Sequence, residues 1–351
     1  SKGYFTGMIG KWGLGEPGTS GDPLVQGWDF YFGYTDQVLA HNYYPEFLWR
    51  NGEKFMLNNQ VEYLDSTLWH HGLGSYSTRQ EEYSHDLFVK EAKQFINQNQ
   101  HQKFFLYLPL TIPHDNGEQV DSLRFEVPDQ GPYADESWER RDRDYAAMIT
   151  RMDQGIGEIM NQLVDLKLDS NTVVFFTSDN GPMKSPTTEF FNSNGSLRGE
   201  KRDLYEGGIR EPFIVRWPGQ VPAGVVSDHL GGFWDVLPTL LDLANEDPPS
   251  GLDGISFKST LLGAGEQIQH PYLYWEFHEG TGAQAIRQGH WKAVKLEVKQ
   301  RTDFPMELYD LSSDPAEARN IAADHPEKVI ELENLMKEAR TPSKDFPLAV
   351  D

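Results

Sequence analysis

The chain has 351 residues, with 31 Lys and Arg against 54 Asp and Glu, a formal net charge of −23, 38% hydrophobic residues and no cysteine. That acidity excludes generic binding to nucleic acid or to an anionic membrane face, since both need a basic surface. The lack of thiols excludes a disulfide scaffold, a cysteine nucleophile and a Cys-ligated zinc, and no run approaches the ~20 apolar residues of a membrane span.

In chain order, Tyr4 to Ile9 predicts a strand running into the glycine-rich loop Gly10-Lys11-Trp12-Gly13-Leu14-Gly15. Residues 16–79, rich in Gly, Pro, Asn and aromatics without periodicity, predict long surface loops. Glu81 to Asn97 carries apolar residues three and four apart and predicts a helix. The short apolar run Phe104–Leu108 predicts a strand buried on both faces. Trp138 to Leu166 predicts a long amphipathic helix with Tyr145, Met148, Ile149, Met152, Ile156, Ile159 and Leu163 on one stripe. Thr172–Thr177 and Pro212–Trp217 predict two further buried strands, and Asp235–Ala244 a helix with Leu237, Leu240 and Leu241 inward. From Tyr272 the pattern changes to short strands at 272–275, 284–287, 291–297 and 307–311, followed by a helix from Pro326 to Ala339. The expectation is an α/β fold: a mostly parallel sheet sandwiched by helices over residues 1–267, and a small C-terminal antiparallel sheet plus helix subdomain over 268–351.

Ligands of an open parallel sheet bind beyond the carboxyl ends of its strands. Lys11 follows the first predicted strand, His114 comes a few residues after the Phe104–Leu108 strand, and Ser178-Asp179-Asn180-Gly181 follows Thr177. A cation, an imidazole and a carboxylate–amide pair would then line one edge. Asp179 and Asn180 offer only oxygen, which suits a hard cation such as Ca²⁺ or Mg²⁺, although two ligands do not complete a shell of six to eight. Each signal has a plain explanation of its own: Asp-Asn-Gly is a turn signal, a lysine in a glycine loop is ordinarily solvated, and Pro113-His114 suits a polar loop. Their joint placement favours function. The glycines of 10–15 fit neither a dinucleotide fingerprint nor a P-loop. Between Ser196 and Pro212, Arg198, Lys201, Arg202 and Arg210 set four cations in an acidic chain, as a pocket for an anionic substrate requires.

Taken together, Gly10-Lys11-Trp12-Gly13-Leu14-Gly15, Pro113-His114, Thr177-Ser178-Asp179-Asn180-Gly181, and Leu197-Arg198-Gly199-Glu200-Lys201 leading into Glu206-Gly207-Gly208-Ile209-Arg210-Glu211-Pro212 resemble the formylglycine-dependent type I sulfatases of the alkaline-phosphatase superfamily. The resemblance spans essentially the whole chain. It implies hydrolysis of a sulfate ester, on a sulfated carbohydrate or an aryl sulfate, at a Ca²⁺ site with Mg²⁺ as second choice, in a periplasmic or secreted protein. It further implies Asp179 and Asn180 as calcium ligands, Lys11 and Lys201 as catalytic residues on the sulfate oxygens, and His114 beside the leaving-group oxygen. Fixed cations meeting charge on the sulfate and a proton donor at the ester oxygen suit such a reaction.

Two departures stand out. The family's nucleophile motif, Cys or Ser followed by x-Pro-x-Arg, lies upstream of Gly-Lys-Trp; this chain has no cysteine, and none of its serines begins such a motif. The expectation is a chain lacking the N-terminal nucleophile region and inactive alone: a fragment, a nicked product, or a remnant that only binds sulfated glycans. A phosphoester or phosphonate hydrolase of the same superfamily is the other alternative. A missing strand also predicts an exposed groove beside Tyr4–Ile9 or a rearranged edge. Second, Gly13 stands where many relatives have histidine, and His41, on a loop with Tyr43 and Tyr44, is the candidate to replace it. Those tyrosines, Trp49 and the segment Trp275-Glu276-Phe277-His278 suit either a sugar face or ordinary packing. His41, Arg198 and His278 are the substrate-binding candidates. His70-His71 and His85-Asp86 lack metal-motif spacing and are assigned no role.

Overall fold

The structure, a computed structural model, describes residues 3–64 and 72–351, so His70-His71 lies outside the described residues. The chain divides into two compact units, Ser1–Thr172 and Val173–Asp351.

The strands of the first unit are β1 (Phe5–Lys11), β2 (Phe30–Tyr34), β3 (Phe47–Arg50), β4 (Glu53–Met56), β5 (Gln60–Tyr63), β6 (Ser75–Arg79) and β7 (Phe104–Tyr107). Five of them form a sheet in the order β4-β3-β2-β1-β7, in which β1 runs parallel to β2 and β7 while β3 and β4 are antiparallel. Met8, Ile9, Tyr31 and Phe32 are buried, as near-continuous apolar strands covered on both faces should be. Two helices, α1 (Ser84–Asn99) and α2 (Arg140–Asp165), complete the unit. On α1, Phe88, Ala92 and Phe95 share one face and pack against Ile9, Phe32 and Tyr34; each buried phenylalanine contributes roughly 1.5–3 kcal/mol.

Several expectations change here. Residues 16–79, expected as loops, hold β2 to β6. These strands are only four or five residues long and β2 carries Gly33, so no alternation could accumulate. β1 is paired on both sides, by β2 and by β7, so the open edges of the sheet lie at β4 and at β7. On β7, Phe105 and Tyr107 remain 38% and 46% exposed and stack on Trp28. On α2, Tyr145, Met148 and Leu163 are buried but Ile149 is exposed.

The second unit begins with β8 (Val174–Thr177), α3 (Pro186–Phe190), α4 (Glu206–Ile209), β9 (Phe213–Arg216), α5 (Val236–Leu243) and α6 (Lys258–Leu262). β8 and β9 pair antiparallel, against the mostly parallel expectation, and Ile214 and Leu237 are exposed rather than buried. Next come β10 (Leu273–Phe277), β11 (Ala283–Gln288), β12 (Trp291–Leu296) and β13 (Glu307–Asp310), an antiparallel sheet in chain order, and α7 (Pro326–Ala339). Leu332 and Met336 of α7 pack with Ile286, Ala293 and Leu308. Their immediate neighbours on the same strands, Ala285, Val294 and Tyr309, pack with Leu204 and Tyr205, since successive side chains of a strand point to opposite faces. The protein is thus α/β, with a mixed sheet flanked by helices and a C-terminal antiparallel four-stranded sheet. No described helix is long and apolar enough to cross a membrane.

Candidate functional site

In the first unit, Lys11 is the last residue of β1. Its backbone N–H donates to Pro109 O at 2.9 Å, which ties the strand end to the segment leading to His114. Two glycines permit that approach. A Cβ on Gly10 (φ +133°) would lie 2.1 Å from Pro109 O, and one on Gly33 (φ +153°) 1.8 Å from Gly10 O.

His114 and His41 are brought together: their rings stack at 4.7 Å between centroids with planes 10° apart. The Nδ1 of His114 lies 2.7 Å from Asp115 O, and its own carbonyl accepts from the Tyr43 hydroxyl. His41 closes a short 3-10 turn, Leu39–His41, whose start is fixed by Asp36 accepting from the Val38 and Leu39 N–H groups. Its Nδ1 faces both carboxylate oxygens of Glu118, at 3.1 and 3.2 Å. Tyr43 and Tyr44 are buried, so they serve packing and not a sugar face. Gly13 sits at φ +75°, and a Cβ there would meet Gln37 Oε1 at 2.5 Å; the place of a side chain is taken by that glutamine.

In the second unit, Asp179 and Asn180 follow β8 after the single residue Ser178. The loop is stitched to the basic segment, since Gly181 N–H donates to Gly208 O at 3.1 Å and Lys201 N–H to Pro182 O at 2.9 Å. A Cβ on Gly181 would lie 1.9 Å from Gly207 O, so this contact requires glycine. The turn bonds Ser178 Oγ–H to Asn180 O and the Asn180 amide to Asp179 Oδ1. Glu211 has a buried Oε1 without a hydrogen-bond partner, and its carboxyl is pushed up to about 7, first by burial and then by the charge of Asp179. Two neighbouring acids with an orphaned oxygen are a donor set that a hard cation satisfies. No group of three or more His, Cys, Asp or Glu arranged for a metal occurs among the described residues.

The three arginines of the basic segment are engaged by protein. Arg198 donates to the Tyr309 hydroxyl at 2.8 Å and to Glu317 O at 3.0 Å, with its guanidinium 3.8 Å over the Tyr205 ring. Arg202 pairs with Glu279 at 3.0 Å, and Arg210 lies 3.9 Å from Glu206. His278 engages Glu276 at 2.8 Å through Nε2, and Arg340 holds the same carboxylate. Arg198 and His278 therefore sit in networks of the C-terminal sheet. Sequence reasoning missed Glu118, Glu211 and Gln37. An acid four residues after His114 was the one local signal for Glu118.

The sulfatase family profile matches residues 1–246, and a profile for the C-terminal part of N-sulphoglucosamine sulphohydrolase matches residues 199–342. Human N-acetylgalactosamine-6-sulfatase is 31% identical over 313 residues, covering 83% of this chain and 52% of that protein. The N-acetylgalactosamine-6-O-sulfatase of Bacteroides thetaiotaomicron is 31% identical over 282 residues, covering 73% of this chain and 51% of that protein. Human arylsulfatase A is 30% identical over 356 residues, covering 92% and 65%. This chain thus spans about half the length of the N-acetylgalactosamine-6-sulfatases it matches. A solved structure described with the metabolism of multiple glycosaminoglycans by Bacteroides thetaiotaomicron superposes with a TM-score of 0.73 at 27% identity, covering 96% of this chain and 79% of that one. Profile and relatives agree, and the chain belongs to the sulfatase family.

Proposed function

We propose that this chain forms the larger part of a sulfuric ester hydrolase that acts on a sulfated carbohydrate, with aryl sulfates as simpler substrates, in a periplasmic or secreted setting. The observation carrying the reading is the set of polar residues that close or follow strands, Lys11 and His114 in the first unit and Asp179 and Asn180 in the second, where Lys201 on the basic segment is tied to the same turn through Pro182. Relatives named N-acetylgalactosamine-6-sulfatase support a sulfated amino sugar as the substrate class. Lys11 and Lys201 bind the sulfate oxygens and offset the charge that builds on them. With Nδ1 of His114 committed to Asp115 O, proton delivery to the leaving oxygen falls to Nε2. Asp179 and Asn180 would hold Ca²⁺, whose chemistry when bound is to neutralise charge on the sulfate. No residue of the chain fits the family's formylglycine motif, so no step through that group is derived, and the 351 residues alone are expected to be inactive. That same lack of a nucleophile favours a second reading, a protein that binds sulfated glycans without cleaving them.

The test assays an aryl sulfate and N-acetylgalactosamine 6-sulfate with the 351-residue chain and with the chain extended by the coding sequence upstream of it. The hydrolase reading expects turnover only in the extended form, lost with chelator and restored by Ca²⁺. It also expects kcat/KM to fall on the order of 100-fold or more in Lys201→Ala. Turnover by the short chain sinks the claim that its nucleophile is missing. No turnover by either form, with retained binding of the sulfated sugar, establishes the binder.

A further inference from the structure

Glutamate is almost never fully buried unless paired, yet the Glu118 side chain is 0% exposed and faces His41 with both oxygens. Its backbone is fixed as well. Glu118 N–H donates to Asn116 Oδ1 at 3.1 Å, while Asn116, itself fully buried, donates through its amide to Glu126 Oε2 at 3.1 Å and through its N–H to Arg124 O at 2.8 Å. Arg124 in turn pairs with Asp115 at 3.1 Å, so the loop from His114 to Glu126 is cross-braced. An ionised carboxylate and a backbone carbonyl only accept hydrogen bonds. The ring nitrogen facing each of them therefore carries the proton: Nδ1 of His41 on Glu118 and Nδ1 of His114 on Asp115 O.

We propose that Glu118 is a positioning residue, whose buried carboxylate holds His41 with its proton on Nδ1 and keeps that ring flat against His114, so that both imidazoles meet the ligand through Nε2. The logic is that of a carboxylate fixing the tautomer and orientation of a histidine that works through its other nitrogen. Stacking couples the two rings, so freeing His41 also loosens the ring that delivers the proton. The catalytic consequence rests on the sulfatase reading; the tautomer does not.

The experiment records long-range proton–nitrogen-15 spectra of the ¹⁵N-labelled 351-residue chain in mildly alkaline buffer, without ligand, with His41 and His114 assigned by single substitution. Wild type is expected to show Nδ1 of His41 as a protonated, pyrrole-type nitrogen. Glu118→Gln keeps that state, because the amide oxygen still accepts. Glu118→Ala shifts Nδ1 to the unprotonated, pyridine-type position and displaces the His114 signals. A pyridine-type Nδ1 in wild type, or a spectrum unchanged in Glu118→Ala, overturns the proposal. Should the alanine variant fail to fold, the wild-type and glutamine spectra still decide it. In the extended, active form, Glu118→Ala should lower kcat about 10- to 100-fold with little change in KM, and Glu118→Gln should retain most activity. Lost thermal stability in both variants, with tautomer and kcat unmoved, marks a merely structural role and also overturns it. Because the spectra need no turnover, a chain that hydrolyses no sulfate ester still answers the question, and a refuted tautomer leaves the hydrolase reading standing.

Discussion

His85, in the first turn of α1, is 1% exposed, and burial pushes its imidazole down to about 4, with the charge of Asp86 opposing. The folded value lies below the unfolded one, near 6.5, so on acidification the unfolded chain takes up this proton first. The contribution is complete above about 6.5 and is lost as pH falls towards 4, amounting to up to about 3 kcal/mol. Urea unfolding of wild type and His85→Leu through that window should show wild type losing stability more steeply; parallel curves would refute the assignment. At this scale the sequence exposed the residues that sit at predicted strand ends, Lys11, His114 and Asp179-Asn180, because neighbourhood in the chain located them. Glu118, Gln37 and Glu211 were illegible, since each matters through what folding sets beside it: a ring 77 residues away in the chain, the space over Gly13 and the charge of Asp179. Arg198 read as a substrate cation because its charge shows in the sequence and its tyrosine partners do not.

The C-terminal sheet fastens the segment that carries Lys201. Lys292 on β12 is fully buried and pairs with Glu206 at the start of α4 and with Glu317, each at 2.9 Å. Arg287 on β11 adds a bond to Glu206 at 3.2 Å, and Glu317 accepts from Glu206 N–H at 2.6 Å. Burial raises the Glu317 carboxyl and Lys292 lowers it, so removing the lysine strands buried acid. Lys292→Met is expected to cost about 3–5 kcal/mol and, with Glu317→Gln added, to recover part of it; chemical denaturation of the two variants checks this. A single variant within about 1 kcal/mol of wild type would show that the cluster is not what fixes the segment. Among elements, β10 to β13 and α7 were legible because strand alternation, brief turns and a proline at the helix start are local signals. Strand direction was not: the apolar runs of β8 and β9 read alike whether they pair parallel or antiparallel.

A net charge of −23 makes the whole molecule self-repelling. Raising NaCl from about 0.01 M to about 0.15 M shortens the screening length from roughly 30 Å to roughly 8 Å, so the melting temperature should rise with salt. A flat or falling response would mean that the acids are balanced by local pairing. The fold class was legible over the full length because both the α/β alternation and the later switch to short strands are long-range patterns; the mixed strand order was not, since it depends on pairings across residues 16–79. The Lys292 cluster also imposes an order of events during synthesis. Glu206 is translated 111 residues before its clamp at Glu317, so a nascent chain that already displays Lys201 cannot yet hold it in place. A premature stop after β12 would leave Lys201 encoded while removing Glu317 from the clamp on its segment, and such a truncated product should be recognised by quality-control proteases as unfinished.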